Sequence, residues 1–206
     1  MKKLALALSL AAIGLTATQA MAAEQSPWQV RARIVNISPA NGSDPVGGVG
    51  AADLITVSKK TIPEVDISYY FTPNISAELI LTYPQKHDVE LAGKNIGAFK
   101  HLPPTLTAKY HFAPEAQFSP YVGAGVNYTR ISDVNLLNGA ADLEKSSFGL
   151  ALQAGIDYKL DKNWSLNFDV KKVQIRSDVT LSATGAKISA VKVDPWLVGV
   201  GVGYRF

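Results

Sequence analysis

The chain ends with Trp196-Leu197-Val198-Gly199-Val200-Gly201-Val202-Gly203-Tyr204-Arg205-Phe206, in which two kinds of side chain alternate. Every even position holds a large apolar residue, and most odd positions hold Gly. A period of two is typical of a β-strand whose two faces meet different surroundings. The same period recurs between turn residues along the chain and predicts eight strands, at 28–38, 61–71, 75–83, 105–112, 120–131, 146–160, 164–176 and 195–206.

The connections between these strands alternate in length. Residues 72–74, 113–119 and 161–163 form short turns, whereas 39–60, 84–104, 132–145 and 177–194 are longer stretches that contain Gly or Pro. Short turns at one end and long connections at the other are the layout of an outer-membrane barrel. We therefore predict an all-β fold: an eight-stranded antiparallel transmembrane β-barrel with long extracellular loops, short periplasmic turns and both termini in the periplasm.

A soluble β-sandwich is the alternative for a sheet with one apolar face. Two features favour the membrane barrel. The polar faces of the strands carry charges of both signs, which need partners inside a closed barrel. The apolar faces end in aromatic residues, as expected for the two interfacial girdles around a lipid-facing band. The predicted girdles are Trp28, Phe71, Phe112, Tyr121, Tyr158, Trp164, Tyr204 and Phe206 at the periplasmic side, and Tyr83, Phe148 and Trp196 at the other.

The beginning of the chain has the three parts of an export signal. Lys2 and Lys3 precede an apolar run of Leu and Ala, and Ala20-Met21-Ala22 supplies a cleavage site. A membrane anchor helix is the alternative, but the run is shorter than the roughly 20 residues that a span requires. We predict a cleaved signal peptide at 1–22 and a single barrel domain at 23–206.

Composition excludes several classes of protein. The 206 residues contain no Cys, which rules out a disulfide scaffold and a thiolate zinc site. Without Lys2 and Lys3, the remaining 18 basic residues nearly balance the 17 acidic ones. A chain so close to neutral gives no reason to expect a nucleic-acid partner.

The inward faces of the predicted strands divide by height. Toward the periplasm they carry five basic and five acidic residues, and because an isolated buried charge is costly we expect these to pair in a network that plugs the lumen. This charged plug comprises Arg31, Arg33, Glu64, Asp66, Glu78, Lys109, Asp157, Asp169, Lys171 and Arg205. An eight-stranded barrel is too narrow for a water-filled pore beside such side chains.

Toward the outside the same inward positions become apolar. The residues of this apolar ring are Val35, Ile37, Ile62, Ile80, Ile131, Val173, Ile175 and Leu197. They form either a packed mini-core that stiffens the rim or a hydrophobic pocket open to the exterior, and the residues alone leave both interpretations open. A solute in such a pocket would have to leave sideways, between strands, because the charged plug lies below it.

Prolines remove donors from the ladder and mark candidate sites for a lateral gap. The candidates are Pro39, Pro63, Pro84, Pro103 and Pro104. Their alternative role is to start and stop strands.

Catalytic chemistry has little support in the sequence. No nucleophile elbow, Gly-rich phosphate loop or HExxH motif is present. His111 is expected in the lumen, and His87 and His101 fall in a long connection, where two histidines without a third ligand bind metal weakly and are usually solvated. We therefore expect a protein that is not an enzyme, with no catalytic residues, cofactor or metal.

Several motifs resemble those of the OmpW family of small outer-membrane proteins. They are His101-Leu102-Pro103-Pro104-Thr105-Leu106, the stretch from Pro120 to Thr129 (PYVGAGVNYT), Asp157-Tyr158, Asp194-Pro195-Trp196 and Gly203-Tyr204-Arg205-Phe206. Their order and spacing are kept over the whole mature chain. The resemblance implies an eight-stranded barrel in the outer membrane of a Gram-negative bacterium, in contact with its lipid.

The resemblance also implies a role. It favours the hydrophobic pocket, and it implies passage of small hydrophobic molecules, with links in some members to stress responses and colicin reception. The alternative function is a structural or receptor barrel with a closed lumen, contacting a colicin, phage or host through its loops. The terminal Phe206, preceded by Tyr204 and Val202, is the ending expected of barrels that the barrel assembly machinery recognises.

Overall fold

The computed structural model describes residues 25–206, which form one antiparallel sheet of 15 strands. The predicted signal peptide at 1–22 lies outside the described residues, so its cleavage stays a prediction. The strands are β1 (Trp28–Ser38), β2 (Gly42–Ser43), β3 (Ile55–Val57), β4 (Lys60–Tyr70), β5 (Ile75–Leu81), β6 (Gln85–Leu91), β7 (Lys94–Leu102), β8 (Thr105–His111), β9 (Phe118–Leu136), β10 (Ala141–Leu143), β11 (Ser146–Lys159), β12 (Trp164–Val173), β13 (Arg176–Leu181), β14 (Lys187–Lys192) and β15 (Trp196–Arg205).

Eight of these strands close into the predicted barrel. In order around the wall they are β1, β4, β5, β8, β9, β11, β12 and β15, and β15 pairs again with β1 over ten residues. Closure satisfies the backbone amides of every strand, which hydrocarbon cannot do. The antiparallel eight-stranded barrel is thus confirmed.

The four long connections are more ordered than their Gly and Pro content suggests. They contain the remaining seven strands, which continue the sheet beyond the barrel rim. β3, β6 and β7 join one side of the upper half of β9, and β10, β13, β14 and β2 join the other. We call these seven strands the extracellular extension.

Helical structure is limited to two single turns of 3-10 helix, at Val46–Gly48 and Leu137–Gly139, in the part of the chain that is described. No helix among residues 25–206 is long and apolar enough to cross a membrane.

The outer surface of the barrel is an apolar band between aromatic residues. Phe148 and Tyr158 lie at its two borders on β11, ten residues apart. At about 3.3 Å per residue and a tilt of about 40°, this separation spans roughly 25 Å, the height of a lipid-facing band. At the periplasmic border, edge-on aromatic pairs join Trp28 to Tyr69 and Trp164 to Tyr204, each with ring centroids 4.9 Å apart.

One predicted girdle residue is wrong. Tyr121 lies inside the barrel, where it is 1% exposed, because the alternation on β9 turns Pro120 and Val122 outward. The directly opposite residue on β11 is Gly155, and a Cβ built there would lie 2.4 Å from the Tyr121 hydroxyl. Because Gly155 has no side chain, there is room for the aromatic ring of Tyr121 inside the barrel.

Candidate functional site in the barrel lumen

The lower lumen is filled by a layer of paired charges. Neighbouring strands β1 and β4 set Arg31 directly opposite Asp66 and Arg33 directly opposite Glu64, and all four side chains are buried. Arg33 Nη1 lies 3.2 Å from Glu64 Oε1, and Arg31 Nη1 lies 3.4 Å from Asp66 Oδ1. These cross-strand pairs begin a network that continues around the barrel.

Glu78 on β5 is the centre of that network. Its Oε2 atom lies 3.0 Å from Nη1 of Arg31 and 3.3 Å from Nη2 of Arg33, and it also accepts a hydrogen bond from Lys109 Nζ. Its other oxygen accepts a hydrogen bond from Gln153 Nε2 at 2.8 Å. Both carboxylate oxygens are therefore engaged without water.

The far wall completes the charged layer. Arg31 Nη2 lies 2.8 Å from Asp157 Oδ2, and Lys171 Nζ lies 2.5 Å from Glu64 Oε1. Asp169 accepts a hydrogen bond from the Tyr121 hydroxyl at 2.7 Å. Side chains from opposite walls thus meet across the lumen in this layer.

Arg205 lies apart from this layer, although it shares the inward face of its strand. It is only half-buried at the periplasmic end, where its Nε donates to the Ser26 carbonyl at 2.9 Å and its guanidinium lies 4.0 Å from the Tyr70 ring. The reason is height: Arg205 pairs with Gln29, one inward position below the pairing of Gly203 with Arg31. The charged layer thus contains nine of the ten residues in the predicted plug.

The apolar ring lies directly above the charged layer. Seven of its eight members are at most 4% exposed. Val35, Ile37 and Ile62 form one apolar cluster, and Ile131, Val173 and Ile175 belong to another. The eighth member, Leu197, packs against both clusters. Five of them, Ile37, Ile62, Ile80, Val173 and Ile175, line a cavity together with Leu197. Its volume is about 30 Å³, room for one or two water molecules. We call it the lower cavity; Glu64 and Lys171 of the charged layer also border it.

A second apolar cavity lies within the extracellular extension. It also has a volume of about 30 Å³, and Ile131 and Ile175 of the apolar ring belong to its wall. The rest of the wall of this upper cavity comes from the four long connections of the sequence. These residues are Ile55, Val57, Val89, Ile96, Phe99, Leu136, Leu143, Ser177, Val179, Val191 and Val193. The available signal was short: Val89 and Leu91 flank Glu90, and Val191 and Val193 flank Lys192, so apolar and charged residues alternate there over only three positions.

The barrel wall beside the lower cavity is interrupted at one seam. β4 and β5 pair up to Val65 opposite Leu81, where their recorded ladder ends. Above that point lie Pro63 on β4 and Pro84 after β5, and Thr82 Oγ1 donates to the Pro63 carbonyl at 3.3 Å. Ile62 and Thr82, which border this seam, both line the lower cavity.

A second interruption lies along β9. β7 ends at Leu102 and β8 begins at Thr105, both paired with β9, so Pro103 and Pro104 separate them. Asn127 Nδ2 lies 3.2 Å from each of the two proline carbonyls, and Pro103 lines the lower cavity. The remaining candidate, Pro39, simply follows the paired top of β1.

The expectation that His87 and His101 are solvated is wrong. They are 0% and 2% exposed, and their ring centroids lie 4.7 Å apart. β6 and β7 form a hairpin of the extension that turns both rings inward, against Phe99. Their position follows from the pairing of β6 with β7, and the sequence pattern of 84–104 does not indicate these two strands.

Comparison with known proteins gives consistent similarities over the whole described chain. A model of the OmpW family matches residues 24–206. The chain is 43% identical over 195 residues to the outer-membrane protein y4mB of Sinorhizobium fredii, covering 92% of this chain and 84% of that protein. It is 34% identical over 215 residues to outer membrane protein W of Escherichia coli, covering 100% of both. The crystal structure of outer membrane protein OprG from Pseudomonas aeruginosa superposes with a TM-score of 0.76 at 28% identity, covering 91% of this chain and 99% of that chain.

Proposed function

Because this chain belongs to the OmpW family of outer-membrane proteins, we propose that it mediates passage of small hydrophobic molecules through its apolar upper lumen, with lateral exit into the bilayer. Its place is the outer membrane of a Gram-negative bacterium, where the apolar band of the barrel contacts lipid.

The observation that carries the proposal is the position of the lower cavity. Its wall is mostly apolar, with Thr82, His101, Thr105 and Asn127 as polar members, and Glu64 and Lys171 of the charged layer lie at its floor. An apolar solute gains roughly 25 cal/mol for each Å² removed from water, but it would have to disrupt buried ion pairs to continue downward. The route of lower free energy is sideways, through the seam above Val65 and Leu81 that borders the cavity.

The two cavities are too small to hold a solute unless the side chains around them move. A cavity that binds benzene has a volume on the order of 150 Å³, whereas each apolar cavity here has about 30 Å³. Entry of a solute therefore requires the ring side chains to change rotamer and the two cavities to merge around Ile175, which lines both.

Charges introduced into the apolar ring test this function. Ile62→Asp and Leu197→Lys place opposite charges beside the lower cavity while the lipid-facing surface stays the same. Both should lower the initial uptake rate of small alkanes or aromatics at least about tenfold, because each removes apolar contact and adds a desolvation cost. The measurement is uptake in cells with matched outer-membrane levels of each variant. Val49→Asp is the control, since Val49 lies in the connection between β2 and β3 and is 81% exposed.

The two charge signs make the result interpretable. If the uptake rate of apolar solutes falls in both variants and that of polar solutes does not rise, the result supports an apolar path. A loss caused by one new ion pair would depend on the sign of the introduced charge. Uptake equal to wild type in both would mean that the ring is a packed rim. The structural or receptor function would then be the better account.

Interaction with the barrel assembly machinery is the second part of the proposal. Phe206 is half exposed at the barrel end, and its ring lies edge-on to Tyr204 with centroids 5.1 Å apart. We expect deletion of Phe206 to lower the amount of protein in the outer membrane, while the purified variant still folds in detergent. Wild-type amounts in membrane fractions would contradict recognition through this residue.

A further inference from the structure

Three buried polar side chains lie together where the two apolar cavities approach each other. They are Gln85 and His87 on β6 and His101 on β7, which we call the polar trio. Gln85 is directly opposite His101 in the hairpin, and none of the three is more than 2% exposed. His101 lines the lower cavity, and Phe99, which lies against both histidine rings, lines the upper one.

The hydrogen bonds of the trio leave acceptors without partners. Gln85 Nε2 donates to the Tyr83 carbonyl at 2.9 Å, which leaves its Oε1 without a partner. His87 Nδ1 lies 2.9 Å from the Ser58 carbonyl, and since a carbonyl only accepts, Nδ1 carries the proton. The lone pair of His87 is therefore on Nε2, which has no partner, and His101 Nδ1 has none either.

Three unpaired polar atoms at one buried place are unusual, because each costs free energy when it is removed from water. Four other buried atoms without a hydrogen-bond partner lie in the charged layer: Arg33 Nε, Asp66 Oδ2, Asn167 Oδ1 and Asp169 Oδ1. The side chains that carry them form ion pairs or further hydrogen bonds there, whereas neither histidine of the trio forms an ion pair with a described residue. The trio thus has the hydrogen-bonding character of a site that receives a group from a ligand.

The trio is also uncharged near neutral pH. β6 and β7 lie in the extension, outside the membrane-spanning segments, and burial lowers the pKa of His87. Burial, together with the nearby His87 and Lys60, lowers the pKa of His101 to about 3. Neutral acceptors offer little to a carboxylate and no counter-charge to an ammonium group, but they suit a neutral O–H donor.

We propose that the polar trio binds the hydroxyl group of small alcohols or phenols whose apolar part lies in the adjoining cavities. This inference rests on the proposed function and specifies its substrate class: apolar molecules that carry one hydrogen-bond donor. Gln85 Oε1 and His87 Nε2 accept the donor, which reaches them past His101, the member of the trio that lines a cavity. The apolar side chains around Phe99 and Ile62 enclose the hydrocarbon.

The direct test is nitrogen NMR of purified protein in detergent, labelled at histidine. The chain contains only three His, so the spectrum is simple to assign. The probes are 1-heptanol and octane, which have equal numbers of heavy atoms. We expect 1-heptanol to shift the Nε2 resonance of His87 upfield, as when an imine nitrogen accepts a hydrogen bond, and octane to leave it in place. Equal responses to both probes, or none to the alcohol, would overturn the proposal.

Variants extend the test to selectivity. His87→Phe keeps an aromatic ring beside Phe99, and Gln85→Met keeps the length of the side chain, but each removes an acceptor. Each should lower the preference for 1-heptanol over octane, in binding to the purified protein, by about tenfold, the effect of losing one hydrogen bond. Ser177→Ala is the control, because Ser177 also lines the upper cavity but its hydroxyl already donates to Glu144. Unchanged preference in folded Gln85→Met would overturn the proposal even if His87→Phe failed to fold.

The test separates this inference from the proposed function. If cells take up octane but the protein shows no preference for the alcohol, the proposed path stands and the trio is refuted as a binding site. If His87 shows an alcohol-specific shift but cells take up neither solute, the binding site stands and transport is refuted.

Discussion

Glu78 shows how one residue holds the lower lumen closed. Among residues 25–206 it is the only carboxylate within 4.0 Å of the Lys109 ammonium group, and it contacts Arg31 and Arg33 as well. All of these side chains are fully buried. The loss of a buried partner of several cations costs far more than the loss of a surface ion pair.

The substitution Glu78→Leu should therefore lower the free energy of unfolding by about 3–5 kcal/mol, because Lys109 is left buried without a counter-charge. The measurement is the urea unfolding midpoint of the barrel in lipid vesicles, followed by tryptophan fluorescence. Glu115→Leu is the matched control, since Glu115 lies exposed in a periplasmic turn. Equal midpoints for wild type and Glu78→Leu would show that water, rather than the network, stabilises these charges.

The alternation of residue types predicts most of the side chains that face the lumen. The exceptions depend on contacts with neighbouring strands. Arg31, Glu78 and the Ile residues were assigned to the interior by alternation alone, because a barrel wall has only two faces. Tyr121 was misplaced because an aromatic at a strand end looks like a girdle residue, and the space for it comes from Gly155 on another strand. That information is in the register between strands, which a single strand does not contain.

At the scale of strands, the barrel was predictable and the extension was not. The first strand begins and ends where alternation predicts, at Trp28 and Ser38, whereas β9 runs to Leu136, five residues beyond its predicted end. Gly and Pro in the long connections looked like loop signals. They instead mark turns and register shifts between short strands, as in the hairpin of β6 and β7. Burial of His87 and His101 could not be predicted without that hairpin.

The seam between β4 and β5 has a mechanical role in the proposed lateral exit. If the ladder continued above Val65 and Leu81, the next outward-facing pair would be Pro63 and Tyr83. Because the chain has no Cys, the double variant Pro63→Cys/Tyr83→Cys introduces one disulfide on a clean background. Oxidation should close the seam and lower uptake of apolar solutes several-fold, and a reductant should restore it.

The matched control for this disulfide is Val170→Cys/Val198→Cys. These residues are directly opposite each other on β12 and β15, on a seam that is fully paired and away from both interruptions. Its oxidation should leave uptake unchanged. If the locked β4–β5 variant transports as fast as its reduced form, exit does not occur through this seam.

For the whole molecule, the order of layers along the barrel axis determines the route that we propose for a solute. The largely apolar interior of the extension and the apolar ring lie above a charged layer, and the wall is interrupted beside the ring. An eight-stranded barrel has room for side chains but not for a water channel. In the proposed function, these layers admit apolar solutes from outside, stop them at the charges and direct them toward lipid.

The most direct test of this account is photolabelling of the barrel in membranes with a small hydrophobic diazirine, followed by mass spectrometry of the labelled positions. Lipid-facing residues will react in any case, so the informative positions are those that face the lumen. We predict label on Ile62, Ile80 and Val173 and none on the inward residues below the charged layer, such as Gln29 and Ser165, which line a recess at the periplasmic end. Label at Gln29 or Ser165 would show that solutes cross the charged layer, and an unlabelled lumen would show that they do not enter the barrel.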